Sequence, residues 1–408
     1  MLFLRSLPSL SGEEVEMLYM AQAGYQPADI IQQADSFYRE TGIKVNLSFV
    51  EYEDQYNLII QSSQKTKADF DVILVDLIWT ADFAENRIIE PIPGYLEAEV
   101  KNGIIPEIYS AFTYLGKIWA IPFLANFQLF YSNMELLNRA GFNQPPASLE
   151  EVIRMAETAK ERGLLKYPLF DSLRKQEALV CEYVWLVGAF GGDLVEADGR
   201  INLKSEPCLK ALRFLKDLLD RGLLNPYSLN SEEVFAAEVF LAGDSLFTTN
   251  WTFLTGLIKE TEAPIARSAR ASLIPVSRSN YLGGNSRTST VSGFQGLSVT
   301  RNSGNKRLAW QFIRFLSSPE FQKMHLDEMS VWKQVWSEEK TSLRDPEIAL
   351  KKAQIIGVHN RPIHPQYRKI SASLQEWIYK ALLGDVKAEY ALSKAQAEID
   401  RIIGQMGN

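Results

Sequence analysis

Asp76, Asn126, Gln128, Trp251 and Arg361 are the side chains whose types and settings suit polar recognition. Asp76 falls near the end of the apolar run 70–77, where a charge is costly unless it is paired or faces a cleft. Its alternative role is to cap the segment that follows. Asn126 and Gln128 come two residues apart after Pro122, on one face of an extended run. Gln128 could equally satisfy backbone groups there. Trp251 directly follows Thr248, Thr249 and Asn250, and reads as a stacking platform at a strand end or as core. Arg361 is held extended by Pro362 in a loop, where a surface arginine is the plain reading. Gly283 and Gly284 allow close backbone approach or simply make a turn. Trp79 walls a cleft or joins the core, and Asp82 beside it reads as a helix-surface charge. Tyr25, Glu51, Tyr183, Trp185 and Trp332 complete the candidates. Planar groups that donate and accept, set beside aromatic faces, suit vicinal hydroxyls and the C–H faces of a sugar ring.

Other chemistries find little footing. There is no nucleophile elbow, P-loop or GxGxxG, and His325, His359 and His364 are scattered without ligand spacing. Cys181 lies in an apolar helical run and reads as a buried thiol; with Cys208 it makes no CxxC. A disulfide is possible but not required. No cofactor and no metal are therefore expected. A carboxylate pair for glycoside hydrolysis cannot be excluded by counting, since Asp and Glu number 50. The net charge of −7 argues against nucleic acid or an anionic membrane as partner. No stretch approaches the length of a membrane span, so no insertion by this chain is expected. Residues 1–10 are apolar but broken by Arg5 and Pro8, too short for a signal segment, so a native leader is expected to be absent.

The elements that must position these groups follow from periodicity. Strands are predicted at 15–20, 43–50 and 70–77, with helices at 30–41, capped by Asp29 and stopped by Gly42, and at 52–63. Continuous apolar strands between helices imply a parallel sheet covered on both faces, with ligand loops at 21–26 and 76–82. Further along, helices are predicted at 148–162 with a Ser148/Glu151 capping box, then at 182–190, 205–220, 305–317, 346–356, 370–383 and 387–405. Strands are predicted to end at Trp251, and to span 270–276 and 292–300. At 408 residues two domains are the default.

Residues 116–136 turn at Gly116-Lys117, run through an apolar strand broken by Pro122, and resume as an aromatic extended stretch. This pattern resembles the first interdomain crossover of the family 1 extracellular solute-binding proteins, the sugar receptors of ABC importers. The segments 41–45, 71–86, 241–251, 282–286, 309–316 and 360–367 resemble the same family in order and spacing. Segments 76–84 and 126–131 look most like its trehalose- and maltose-binding branch.

The resemblance implies an α/β fold of two doubly wound lobes joined by a multi-crossover hinge, of the class II periplasmic binding type. It implies an N-terminal lobe of 1–121 with 277–327, a C-terminal lobe of 122–276 with 328–408, and a ligand cleft between them. Asp76 would accept from sugar hydroxyls, Asn126 would touch the ligand with Gln128 beside it, and Arg361 would reach it. The implied function is non-catalytic: an extracytoplasmic receptor, periplasmic or lipid-anchored and monomeric, that delivers a di- or oligosaccharide to membrane permease subunits. The family's usual lipoprotein cysteine is missing near the N-terminus. A polyamine, phosphodiester or peptide ligand on the same fold remains the alternative.

Overall fold

The computed structural model describes residues 14–21, 24–283, 286–326 and 328–405, without the side chains of Glu53, Glu339, Lys340 and Ser342. The chain divides into two compact units: residues up to Ala125 with Phe294–Arg344, and Asn126–Gly293 with Asp345 onward. It therefore changes unit after 125, 293 and 344. The expected boundaries fell at 121, 276 and 327, so three segments change sides. Residues 122–124 belong to Ile121–Leu124, the edge strand of the first unit's sheet, where a proline is tolerated because one edge needs no donor. Residues 277–293 stay with the second unit, and 328–344 belong to the first.

The first unit is built on a five-stranded sheet in the order Lys44–Val50, Glu14–Met20, Val72–Asp76, Gln295–Val299 and Ile121–Leu124. The first three strands run parallel and are connected through the helices Pro27–Thr41 and Tyr52–Ser63, as their apolar runs require. Gln295–Val299 is antiparallel to both its neighbours, so the sheet is mixed rather than purely parallel. Helix Pro27–Thr41 begins earlier than expected: Pro27 takes its first turn, and Asp29 is the third helical residue reaching back to the N–H of Gln26. Gly42 ends it in the left-handed conformation. Phe37 on this helix meets Phe312 and Phe315, at centroid distances of 5.1 and 5.3 Å, on the amphipathic helix Lys306–Leu316. Helix Tyr52–Ser63 has the bounds its pattern predicts.

The second unit centres on three antiparallel strands, Phe247–Trp251, Gln128–Asn133 and Ala269–Ser272, with the first two buried throughout. Helix Glu177–Ala189 is buried along nearly its whole length, with apolar residues on every face. Helices Glu206–Asp220, Tyr367–Leu383 and Ala388–Gly404 complete the core, contributing Leu212, Leu215, Ile370, Leu374, Leu392 and Ile399. Cys181 and Cys208 are both buried free thiols. Among the described residues no helix is long and apolar enough to cross a membrane.

Candidate ligand-binding site

The first unit gathers polar and aromatic groups at the carboxyl end of its central strand, the end where ligands bind in α/β sheets. Asp76 closes that strand opposite Gln295. It is 5% exposed, and its Oδ1 accepts from the N–H of Ile78 at 3.1 Å, starting the short helical turn Leu77–Trp79. Its Oδ2 accepts from the Tyr52 hydroxyl at 3.0 Å. The capping role is thus realised, and a hydroxyl already sits on the second oxygen. Trp79 is buried beneath Tyr52, their rings nearly parallel at 5.4 Å and 22°. Tyr56 donates to Asp82 at 2.5 Å and stacks on Phe83 at 5.4 Å, so Asp82 is more than a surface charge. Glu51 is exposed, directly before Tyr52.

Two other candidates in this unit serve packing. Tyr25 is buried among Phe123, Phe321 and His325. Trp332 is buried, donates to the Ser317 carbonyl at 2.8 Å, and packs on Gly103 so closely that a Cβ there would lie 2.4 Å from its ring.

In the second unit the candidates form one connected network. Trp251 and Gln128 are paired across the ladder. Gln128 is fully buried; its backbone exchanges hydrogen bonds with the Thr290 hydroxyl, and its Nε2 donates to Glu182 at 2.8 Å. The other Glu182 oxygen accepts from the indole of Trp185 at 2.6 Å. Asn126 is partly exposed; its Oδ1 accepts from Thr252 at 2.9 Å and its carbonyl from the Gly293 N–H at 2.8 Å. The Trp251 ring lies on Gly293, where a Cβ would come within 2.7 Å, and its Nε1 donates to Glu233 at 3.3 Å. Arg361 is 2% exposed, not a surface arginine. It donates to the Ser292 carbonyl at 3.2 Å and to Glu177 at 2.9 Å, and Glu177 also accepts from Tyr367 and from Ser371. That network fixes the segment on which Trp251 rests.

The remaining candidates lie elsewhere. Tyr183 is core, with its hydroxyl on the Cys208 carbonyl. Gly283 ends a short helix at an ordinary φ of −71° and needs no glycine conformation. Gly284 lies outside the described residues.

Three carboxylates surround the network. Burial pushes Asp171 up to about 7 against the hydrogen bonds of Thr249 and Thr248. Burial, reinforced by the charge of Asp171, raises Glu182 well above the usual range. Burial also raises Glu233, opposed by its backbone and by Trp251. Each acceptor therefore meets an internal donor while resisting ionisation. Among the described residues no group of three or more His, Cys, Asp or Glu could hold a metal.

Tyr52, Tyr56, Asp171, Glu182, Glu233 and Gly293 were not singled out in the sequence. Tyr52 and Tyr56 carried a signal, an aromatic pair one helical turn apart in the helix that follows a strand end. Glu182 carried another: a lone charge within an apolar helix requires buried donors.

Comparison with known proteins agrees with this architecture. Residues 20–323 match the model of the bacterial extracellular solute-binding proteins, and the chain belongs to that family. A Brucella abortus protein described as a binding protein is 26% identical over 365 residues, 89% of this chain and 86% of that one. An ABC transporter-binding protein of Deinococcus radiodurans is 26% identical over 299 residues, 71% of this chain and 69% of its own. Maltose-bound T. maritima MalE3 superposes with a TM-score of 0.85 at 21% identity, covering 95% of this chain and 99% of that one. These likenesses establish a periplasmic-binding-protein α/β fold.

Proposed function

We propose that this chain is the extracytoplasmic sugar receptor of an ABC importer, monomeric and without catalytic activity. It binds a di- or oligosaccharide of the maltose or trehalose type and presents it to membrane permease subunits. The carrying observation is the pairing of planar acceptors with indole and phenol rings in each unit: Asp76 with Tyr52 over Trp79, and Trp251 on Gly293, whose N–H donates to the Asn126 carbonyl. Sugar contacts drawn from both units would favour a closed arrangement by hinge bending. The maltose-bound neighbour and the ABC transporter-binding relative support this reading.

A cationic solute is the second reading, favoured by the carboxylates Asp171, Glu182 and Glu233. Each is already engaged by an internal donor, and burial disfavours its charge, so a neutral polyol is the better match. The test is thermal denaturation against a panel of maltose, trehalose, maltotriose, spermidine, a phosphodiester and a dipeptide. A ligand at a hundred times its Kd adds about 2.7 kcal/mol of stability. A sugar-specific rise in Tm supports the proposal; a rise with spermidine alone, or with no sugar, rejects it.

A further inference from the structure

Helix Ile348–Ile355 of the second unit buries Lys351 and Gln354 completely, three residues apart and so on one face. The Lys351 ammonium lies 3.0 Å from Asp345 Oδ2, and the two side chains are 0% and 3% exposed. The other Asp345 oxygen accepts from the Glu347 N–H at 3.0 Å, turning the chain into the helix. An ammonium can donate three hydrogen bonds, and among the described residues Asp345 is its one acceptor. Withdrawing two charges from water is costly, and the cost is offset only where further hydrogen bonds satisfy both groups. Apolar side chains of similar volume commonly hold such a position as well or better. Stability alone therefore does not account for the pair.

Its place in the chain does. Asp345 is where the chain enters the second unit for the last time. One turn beyond Lys351, Gln354 grips the segment by which the chain earlier leaves that unit. Its Oε1 accepts from the Ile274 N–H at 2.9 Å and from the Thr288 hydroxyl at 3.0 Å, and its Nε2 donates to the Ser289 carbonyl at 3.2 Å. The same segment continues through Thr290, whose N–H donates to the Gly357 carbonyl at 2.8 Å, and departs after Gly293. Gly357 approaches Thr288 so closely that a Cβ would lie 2.5 Å from its carbonyl oxygen. One short helix thus ties the incoming and the outgoing chain. Apolar contacts are non-directional and tolerate a shifted helix, whereas these hydrogen bonds close in one register only.

We infer that helix Ile348–Ile355 is a common anchor for two of the three crossings between the units, and that the buried Asp345–Lys351 pair fixes its register. The inference goes beyond the proposed function and does not depend on which solute the protein binds. It names the element that sets where these two crossings leave and enter the second unit.

The experiment compares the full chain with Lys351→Met, Asp345→Asn, the double variant carrying both, and Gln354→Met. Thermal denaturation is read beside amide hydrogen exchange over residues 288–293 and 345–349. Each single change at the pair leaves a buried charge without its partner and should lower Tm, and the double variant should recover most of that loss. Despite this recovery, the double variant should exchange about 10-fold faster than wild type at 288–293, and Gln354→Met should do the same at 345–349. Changes confined to each variant's own segment overturn the common anchor. A double variant that stays as unstable as the single ones, or that recovers both Tm and wild-type exchange, overturns the role of the pair in register. Should the single variants fail to fold, the double variant and Gln354→Met carry the same test.

Discussion

Adding one methyl group at Gly293 isolates the contact on which the second unit's indole rests. An alanine Cβ there would lie 2.7 Å from Cζ3 and 3.0 Å from Cη2 of Trp251. Carbon pairs settle at about 3.5–4.0 Å, so the indole or its support must move by about 1 Å. Gly293 has no left-handed φ, so the substitution is steric and adds no backbone strain. Overpacking of this kind costs about 1–3 kcal/mol. For a unit of roughly 150–250 residues that corresponds to a Tm loss of about 2–12 °C. Sugar affinity should fall with it, since the displaced ring is the proposed platform and each 1.4 kcal/mol is about tenfold. A double-mutant cycle supplies the decisive control. Trp251→Ala alone should cost about 3–5 kcal/mol. Gly293→Ala made in that background should be neutral or stabilising, giving a coupling of about 1–3 kcal/mol. Thermal and urea denaturation of the four proteins, with titration of maltose or trehalose, provide the readouts. An equal cost for Gly293→Ala in both backgrounds, or unchanged sugar affinity in the single variant, would refute the reasoning.

Gly103→Ala drives a Cβ to 2.4 Å from the Trp332 ring in the first unit. It should cost about 1–3 kcal/mol of stability while leaving sugar affinity within about threefold; a tenfold affinity loss on titration would return Trp332 to the site. Asp171 has a folded-state pKa raised from 3.8 to about 7. Its stabilising contribution is therefore complete below pH 3.8 and is lost as pH rises to 7. Relative to Asp171→Asn, which keeps an acceptor for Thr249, the wild type should lose up to about 4 kcal/mol between pH 4 and 8. A difference in urea-unfolding free energy that stays flat across that range would contradict the assignment.

Much of the fold was legible because it is written locally. The strand–helix alternation of the first unit, the bounds of helix Tyr52–Ser63 and the stop at Gly42 follow from period and glycine chemistry alone. Longer-range features were less accessible. Glu182 looks like the start of a helix because a charge interrupts an apolar run. In the fold that helix begins at Glu177, and Glu182 is buried within it, accepting from Gln128 and Trp185. Pro275 marks an extended segment without revealing which sheet receives it, and the strand Ala269–Ser272 pairs inside the second unit. The return to the first unit waits until Phe294, where Gln295–Val299 enters antiparallel beside Asp76. Trp332 follows the first unit because the space for its ring is made by Gly103, more than two hundred residues away in sequence. Among the candidate residues, the strand-end positions of Asp76 and Trp251 were visible from polarity. The Tyr52–Asp76 hydrogen bond was not, because it joins a helix to the end of the next strand.

The most direct test is a crystal structure of the protein with maltose or trehalose bound. The account predicts a bound sugar that donates a hydroxyl to Asp76 and has a ring face on Trp251. A sugar that touches neither Asp76 nor Trp251 would contradict it.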